Sequence, residues 1–109
     1  MITPGVIRNK KLLEAAAGKS CVNCGFNDNT TVAAHYQGMR SHLFGKGTGI
    51  KPHDLCVADL CSSCHRLFDD YRTSDLENRD QRRIDHSEQF LFCVVQTLIR
   101  RYQEEVLKT

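Results

Sequence analysis

The chain has 109 residues, with no tryptophan, no long apolar run and almost no net charge. Its longest apolar run, Phe90 to Val95, is six residues. A membrane-spanning helix needs about 20, so that class is excluded. Residues 1–8 contain no apolar segment of the kind that directs secretion. A cytoplasmic location is therefore expected, in a compartment that keeps thiols reduced. Fifteen Lys and Arg oppose thirteen Asp and Glu, leaving +2. Global charge alone thus gives no strong signal for a polyanionic partner. No internal repeat and no low-complexity tract stands out.

What is present is ordinary for a folded domain: 40% hydrophobic and 26% charged residues. The length fits one domain spanning 1–109. A domain this small buries about two-thirds of its unfolded surface and gains little margin from it. Six cysteines and five histidines are the notable surplus. In a reducing compartment, paired cysteines read as metal ligands before they read as disulfides.

Asn9 to Gly18 predicts a short helix. Asn9 can cap it, Leu12, Leu13, Ala16 and Ala17 supply its apolar stripe, and Gly18 suits the left-handed C-terminal position. Thr30 to Tyr36 is β-branched and predicts a strand. Gln37 to Asp54 holds Gly38, Gly45, Gly47 and Gly49, carries Arg40, Lys46 and Lys51, and has no acid before Asp54. It predicts a long exposed loop, a type that is usually functional. Leu55 to Leu60 predicts a second strand, and a helical pattern begins at Cys64. Ser74-Asp75-Leu76-Glu77 matches a capping box. A terminal helix is expected over about 84–107, with Leu91, Val94, Leu98 and Tyr102 at helical spacing. The Phe90–Val95 run is apolar all round, so burial on more than one side is expected, more as a core helix than as a dimer interface.

Cys21-x-x-Cys24 and Cys61-x-x-Cys64 form two knuckles. A two-residue gap lets both sulfurs of each knuckle reach one ion while backbone amides point at them. Four thiolates suit tetrahedral Zn²⁺ in a structural role, because such a site has no open position for substrate. The stretch between the knuckles is longer than a simple zinc ribbon needs. Cys56 and Cys93 are expected as buried core thiols.

His65 follows the second knuckle directly. Asp69 lies one helical turn on, so the two share a face and make a candidate divalent-metal site. Asp70 is adjacent and could substitute. Ala33-Ala34-His35-Tyr36 places one His at a strand end, and His53-Asp54 follows the basic loop. The order is therefore CxxC, strand His, loop, Asp, CxxCH. In this order the span Cys21 to Asp69 resembles the zinc-supported HNH endonucleases, the ββα-metal or His-Me finger group. Ala15-Ala16-Ala17-Gly18-Lys19, Ala34-His35, Gly47-Thr48-Gly49 with Lys51-Pro52, Asp54-Leu55 and Cys61-Ser62-Ser63-Cys64-His65 with Asp69 are similar to small phage and prophage nucleases typified by YbcO. That likeness covers most of residues 10–75.

The resemblance implies a small α+β domain: a zinc-stabilised ββα-metal unit with flanking helices. It implies a phage- or prophage-encoded nuclease acting on DNA, with Mg²⁺ or another divalent ion in one-metal catalysis. His35 would be the general base, since imidazole exchanges protons near neutral pH. Asp54, near the usual Asn, would hold its tautomer or brace the loop. His65 and Asp69 would carry the catalytic ion. Ala34 stands where many members have a further ligand, so His42 or His53 could supply one, although a solvated loop position suits both better. Arg40, Lys46 and Lys51 would meet phosphates. Two other classes remain open: a catalytically silent zinc module that binds nucleic acid, and a zinc-stabilised protein-interaction domain.

Overall fold

The computed structural model describes residues 6–47, 49–70, 79–104 and 106. The Ser74–Glu77 capping box lies outside them. The elements run α1 (Lys10–Glu14), β1 (Val32–His35), a 3-10 turn (Ser41–Phe44), β2 (Val57–Leu60), α2 (Ser62–Asp70) and α3 (Arg79–Gln103). Among the described residues, no helix is long and apolar enough to cross a membrane.

Helix α1 starts as its cap dictates: Asn9 Oδ1 accepts from the amides of Lys11 and Leu12 at 3.1 and 3.4 Å. It ends four residues earlier than the expected Gly18, at Glu14, and a turn carries the chain on to Gly18 with φ +79°. Strands β1 and β2 pair antiparallel, with Val32 opposite Leu60 and His35 opposite Val57. An isolated two-stranded hairpin is marginal in water. This one is covered: every β2 residue is buried, and α3 packs across β2.

The core gathers Tyr36, Leu60, Phe68, Phe90, Cys93 and Val94 around Ala34 and Ala58. Phe90 stands 5.4 Å from Tyr36 and 5.0 Å from Phe68, ring centre to ring centre. Cys93 is buried as expected, whereas Cys56 is only partly so.

The structure corrects the phase of the last helix. Its buried side is His86, Ser87, Phe90, Cys93, Val94, Thr97 and Arg101. Phe92, Val95, Ile99 and Tyr102 are each more than half exposed. The Phe90–Val95 run is thus buried on one side only, and Tyr102 belongs to the outer face. A run that is apolar in every direction carries no phase, so periodicity could not choose the face.

Arg101 is turned inward by Asp59, a β2 residue with no solvent exposure. Both guanidinium NH groups of Arg101 donate to the Asp59 carboxylate, and its Nε donates to the Leu12 carbonyl at 3.0 Å. Arg100 adds a bond to Asp59 at 2.9 Å and one to the Ser20 carbonyl at 2.8 Å. The Asp59 amide donates to Thr97 Oγ1 at 3.0 Å. One carboxylate thereby joins β2, α3, α1 and the segment leading to the first knuckle.

Removing one partner of a buried ion pair leaves an uncompensated charge, which costs about 3–5 kcal/mol. Asp59→Ala is therefore expected to lose about that much stability in urea melts. Asp59→Leu combined with Arg101→Leu is expected to recover most of it.

Candidate functional site

Four cysteines converge. The Sγ atoms of Cys21, Cys24, Cys61 and Cys64 all lie within 4.8 Å of one another. The first pair sits on a tight turn, closed by Gly25 N–H to Cys21 O at 2.9 Å and Cys21 N–H to Phe26 O at 2.8 Å. That turn aims the amides of Asn23 and Cys24 at Cys21 Sγ, at 3.4 and 3.5 Å. In the second pair, Cys61 directly follows β2 and Cys64 stands in the first turn of α2. Arms of about 2.3 Å give a tetrahedron with edges of about 3.8 Å. The Cys24–Cys61 separation is 3.7 Å, so the cluster fits tetrahedral zinc.

The thiols are unequal. Burial raises Cys21, but amide hydrogen bonds outweigh that and lower it to about 7. Burial, reinforced by the neighbouring thiols, pushes Cys64 up to about 12. A divalent cation is what lets four thiolates share so small a volume.

Sequence reasoning missed the shell behind the cysteines. Asn23 Nδ2 donates to Cys64 Sγ at 3.3 Å. Gln89, on α3, donates to Asn23 Oδ1 at 2.9 Å, and Cys93 Sγ stands 3.7 Å from the same oxygen. Asn23 lies inside the first knuckle and could have been suspected there. Nothing in the sequence pointed to Gln89.

The other end of the hairpin holds His35 and Asp54. His35 ends β1, and its Nε2 lies 2.8 Å from Asp54 Oδ1. A carboxylate only accepts, so Nε2 carries the proton and the lone pair of the neutral ring falls on Nδ1. Asp54 is itself clasped from the N-terminal side. The Asn9 amide donates to its Oδ2 at 2.7 Å, and Arg8 donates to its Oδ1 at 3.1 Å. Arg8 also bonds the carbonyls of Pro52 and Lys51, at 2.6 and 2.8 Å. Burial alone would raise the Asp54 carboxyl. The bonds from His35 and Asn9, with the Arg8 charge, outweigh burial and hold it below the usual range. Asp54 thus contacts both the His35 ring and the chain on its N-terminal side. The clasp by Ile7–Asn9 was not legible in the sequence.

His65 and Asp69 share one face of α2, with Nε2 and Oδ2 3.7 Å apart and both side chains well exposed. Among the described residues, the cysteines are the only group of three or more clustered ligand types. His53 does not join His65. It is buried rather than solvated, and its Nδ1 accepts the Ile7 amide at 2.8 Å. Its ring lies against Gly45, where a side chain would meet Nε2 at 3.2 Å. His42 stands in the 3-10 turn, lining a groove of about 510 Å³ with Arg40, Leu43 and Ile84.

The basic segment is only partly the open loop expected. It contains the 3-10 turn and a bridge between Gly47 and Ile50. Pro52, His53 and Asp54 are buried because they anchor the return into β2. Arg40, Lys46 and Lys51 remain exposed.

Residues 10–104 match the family described as "Putative nuclease YbcO". The chain belongs to the YbcO family. No curated protein and no solved structure matches it. The YbcO match takes in both knuckles, the hairpin, α2 and all of α3. It begins one residue after Asn9, so the clasp on Asp54 lies just outside it. A YbcO-family chain has nucleic acid as its expected substrate class, which suits the exposed basic segment beside His35.

Two outcomes follow. Chelation, or Cys64→Ser, is expected to remove one metal ion per chain and abolish the cooperative thermal melt, since metal binding here is folding free energy. An unchanged melt after verified metal loss would sink that assignment. Asp54→Asn is expected to cost about 1–3 kcal/mol at neutral pH. A lowered folded-state pKa contributes stability above the unfolded value of about 4, and that contribution disappears as pH falls through the folded value. The gap between wild type and Asp54→Asn should therefore narrow as pH falls below about 4. Urea melts across that range check it, and loss of metal from both proteins cancels in the difference.

Proposed function

We propose that this chain is a metal-dependent DNA endonuclease of the HNH, ββα-metal type, hydrolysing phosphodiester bonds. The observation that carries the reading is the His35–Asp54 pair at 2.8 Å. It sits at one end of a hairpin whose other end leads through Cys61 and Cys64 into the helix bearing His65 and Asp69.

In this reading His35 is the general base. Asp54 holds the proton on Nε2, which leaves Nδ1 to take one from the attacking water. His65 and Asp69 would hold a divalent ion such as Mg²⁺, which when bound supplies Lewis-acid stabilisation of a phosphate oxygen and the leaving 3′ oxygen. Both donors are hard or borderline and both face solvent, which fits an open site that leaves room for water and phosphate. Arg40, Lys46 and Lys51 meet the DNA backbone through sequence-blind, salt-sensitive contacts. The cysteine cluster holds structural zinc and takes no part in the chemistry. Phage or prophage origin and action in the bacterial cytoplasm belong to the same proposal.

One observation favours a second reading, a silent zinc module that binds nucleic acid. Ala34 offers no ligand, and among the described residues no third ligand type clusters with His65 and Asp69.

Nicking of supercoiled plasmid with Mg²⁺, Mn²⁺ or Ni²⁺ separates the two. Wild type is expected to nick, and zinc-loaded His35→Ala to lose about 10²-fold or more of the rate, as befits loss of a general base. Equal cleavage by both proteins would remove His35 from the mechanism. DNA binding without cleavage by either would favour the silent module.

A further inference from the structure

We propose that the outer face of α3 is a homodimer interface, occupied by the same face of a second copy of this chain packed antiparallel.

The first ground is composition. Between Leu91 and Gln103 the only charged residues are Arg100 and Arg101, and both are committed to Asp59. The outward side of that stretch therefore carries no free charge over about 18 Å of helix. The chain as a whole is 26% charged. In place of charge the face presents Phe92, Val95, Ile99 and Tyr102, each more than half exposed. Depletion of charge with exposed aromatics is what distinguishes the core of an interface from ordinary surface.

The second ground selects the occupant. The four residues are spaced three, four and three apart, a pattern identical when read backwards. An antiparallel copy therefore sets Phe92 against Tyr102 and Val95 against Ile99, ring on ring and branched side chain on branched side chain. The flanks obey the same symmetry, with Leu91 opposite Gln103 and Gln96 opposite Leu98. A two-fold interface demands such self-complementarity, whereas an unrelated partner does not.

Area sets the strength. The four half-exposed side chains offer on the order of 350 Å² per copy, comparable to the largest apolar patches on monomers. Two such faces with their polar rims reach only the lower end of specific interfaces, near roughly 1,200 Å² in total. The association is thus expected to be concentration-dependent in the micromolar range.

Sedimentation equilibrium of the zinc-loaded full chain tests this. The apparent mass should rise from one chain to two across micromolar concentrations. Val95→Glu alone and Ile99→Lys alone should each remain at one chain. An equimolar mixture of the two should return to two chains, because position 95 of one copy faces position 99 of the other. Unchanged zinc content and helical circular dichroism in each variant separate interface loss from misfolding. A wild type that stays at one chain throughout overturns the proposal. So does a dimer that survives either single change, or a mixture that stays monomeric.

Discussion

Asp59 buries a carboxylate completely between β2 and α3. The sheet has two strands of four residues each, too little to stand alone. A wholly buried charge in its second strand tolerates only one arrangement of neighbours. Arg101 must turn inward from α3 to meet it, and in doing so reaches the Leu12 carbonyl behind α1. Arg100 follows and fixes the Ser20 carbonyl. The Val22 amide donates to the Asp59 carbonyl, which sets the first knuckle beside the second. Buried ion pairs contribute little net stability over apolar packing. Here the pair selects a single register and a single rotation of α3. A slip by one residue would leave a naked carboxylate in the core.

That rotation explains the surface as well as the core. Once Arg101 and Thr97 face Asp59, Phe90, Cys93 and Val94 must face the sheet. The side chains roughly opposite them, Phe92, Val95, Ile99 and Tyr102, are left in solvent. The exposed stripe is therefore a consequence of the inward lock.

Much of this architecture was legible from local chemistry. The CxxC spacings identified the thiol cluster, Asn9 announced the cap of α1, and the β-branched stretch before His35 marked β1. Each of these signals lies within a few residues of its own effect. What escaped was decided at long range. Asp59 and Arg101 are 42 positions apart, and either alone reads as a solvated charge. His53 looked like a loop histidine because its partner, the Ile7 amide, lies 46 positions away. The HNH-like order placed Asp54 near His35, but no pattern in residues 7–9 revealed that they would clamp it. In α3 the failure was of phase: with apolar residues on every side of the Phe90–Val95 run, only the distant carboxylate could choose which faced inward.

The hairpin couples its two ends. Its strands are about 13 Å long, with His35 opposite Val57 at one end and Val32 opposite Leu60 at the other. Cys61 follows Leu60 immediately, so an ion held by the thiols would fix the end of β2 and, through pairing, the position of His35. Asp54 approaches the same histidine from outside the sheet, held by Arg8 and Asn9. The His35–Asp54 distance is thus set from two sides, by the thiol cluster through the strands and by the N-terminal clasp through the loop. A hydrogen bond loses most of its strength over a few tenths of an ångström and a few tens of degrees. Imidazole orientation should therefore respond to damage at the cysteines, which touch neither His35 nor Asp54, as well as to damage in the clasp.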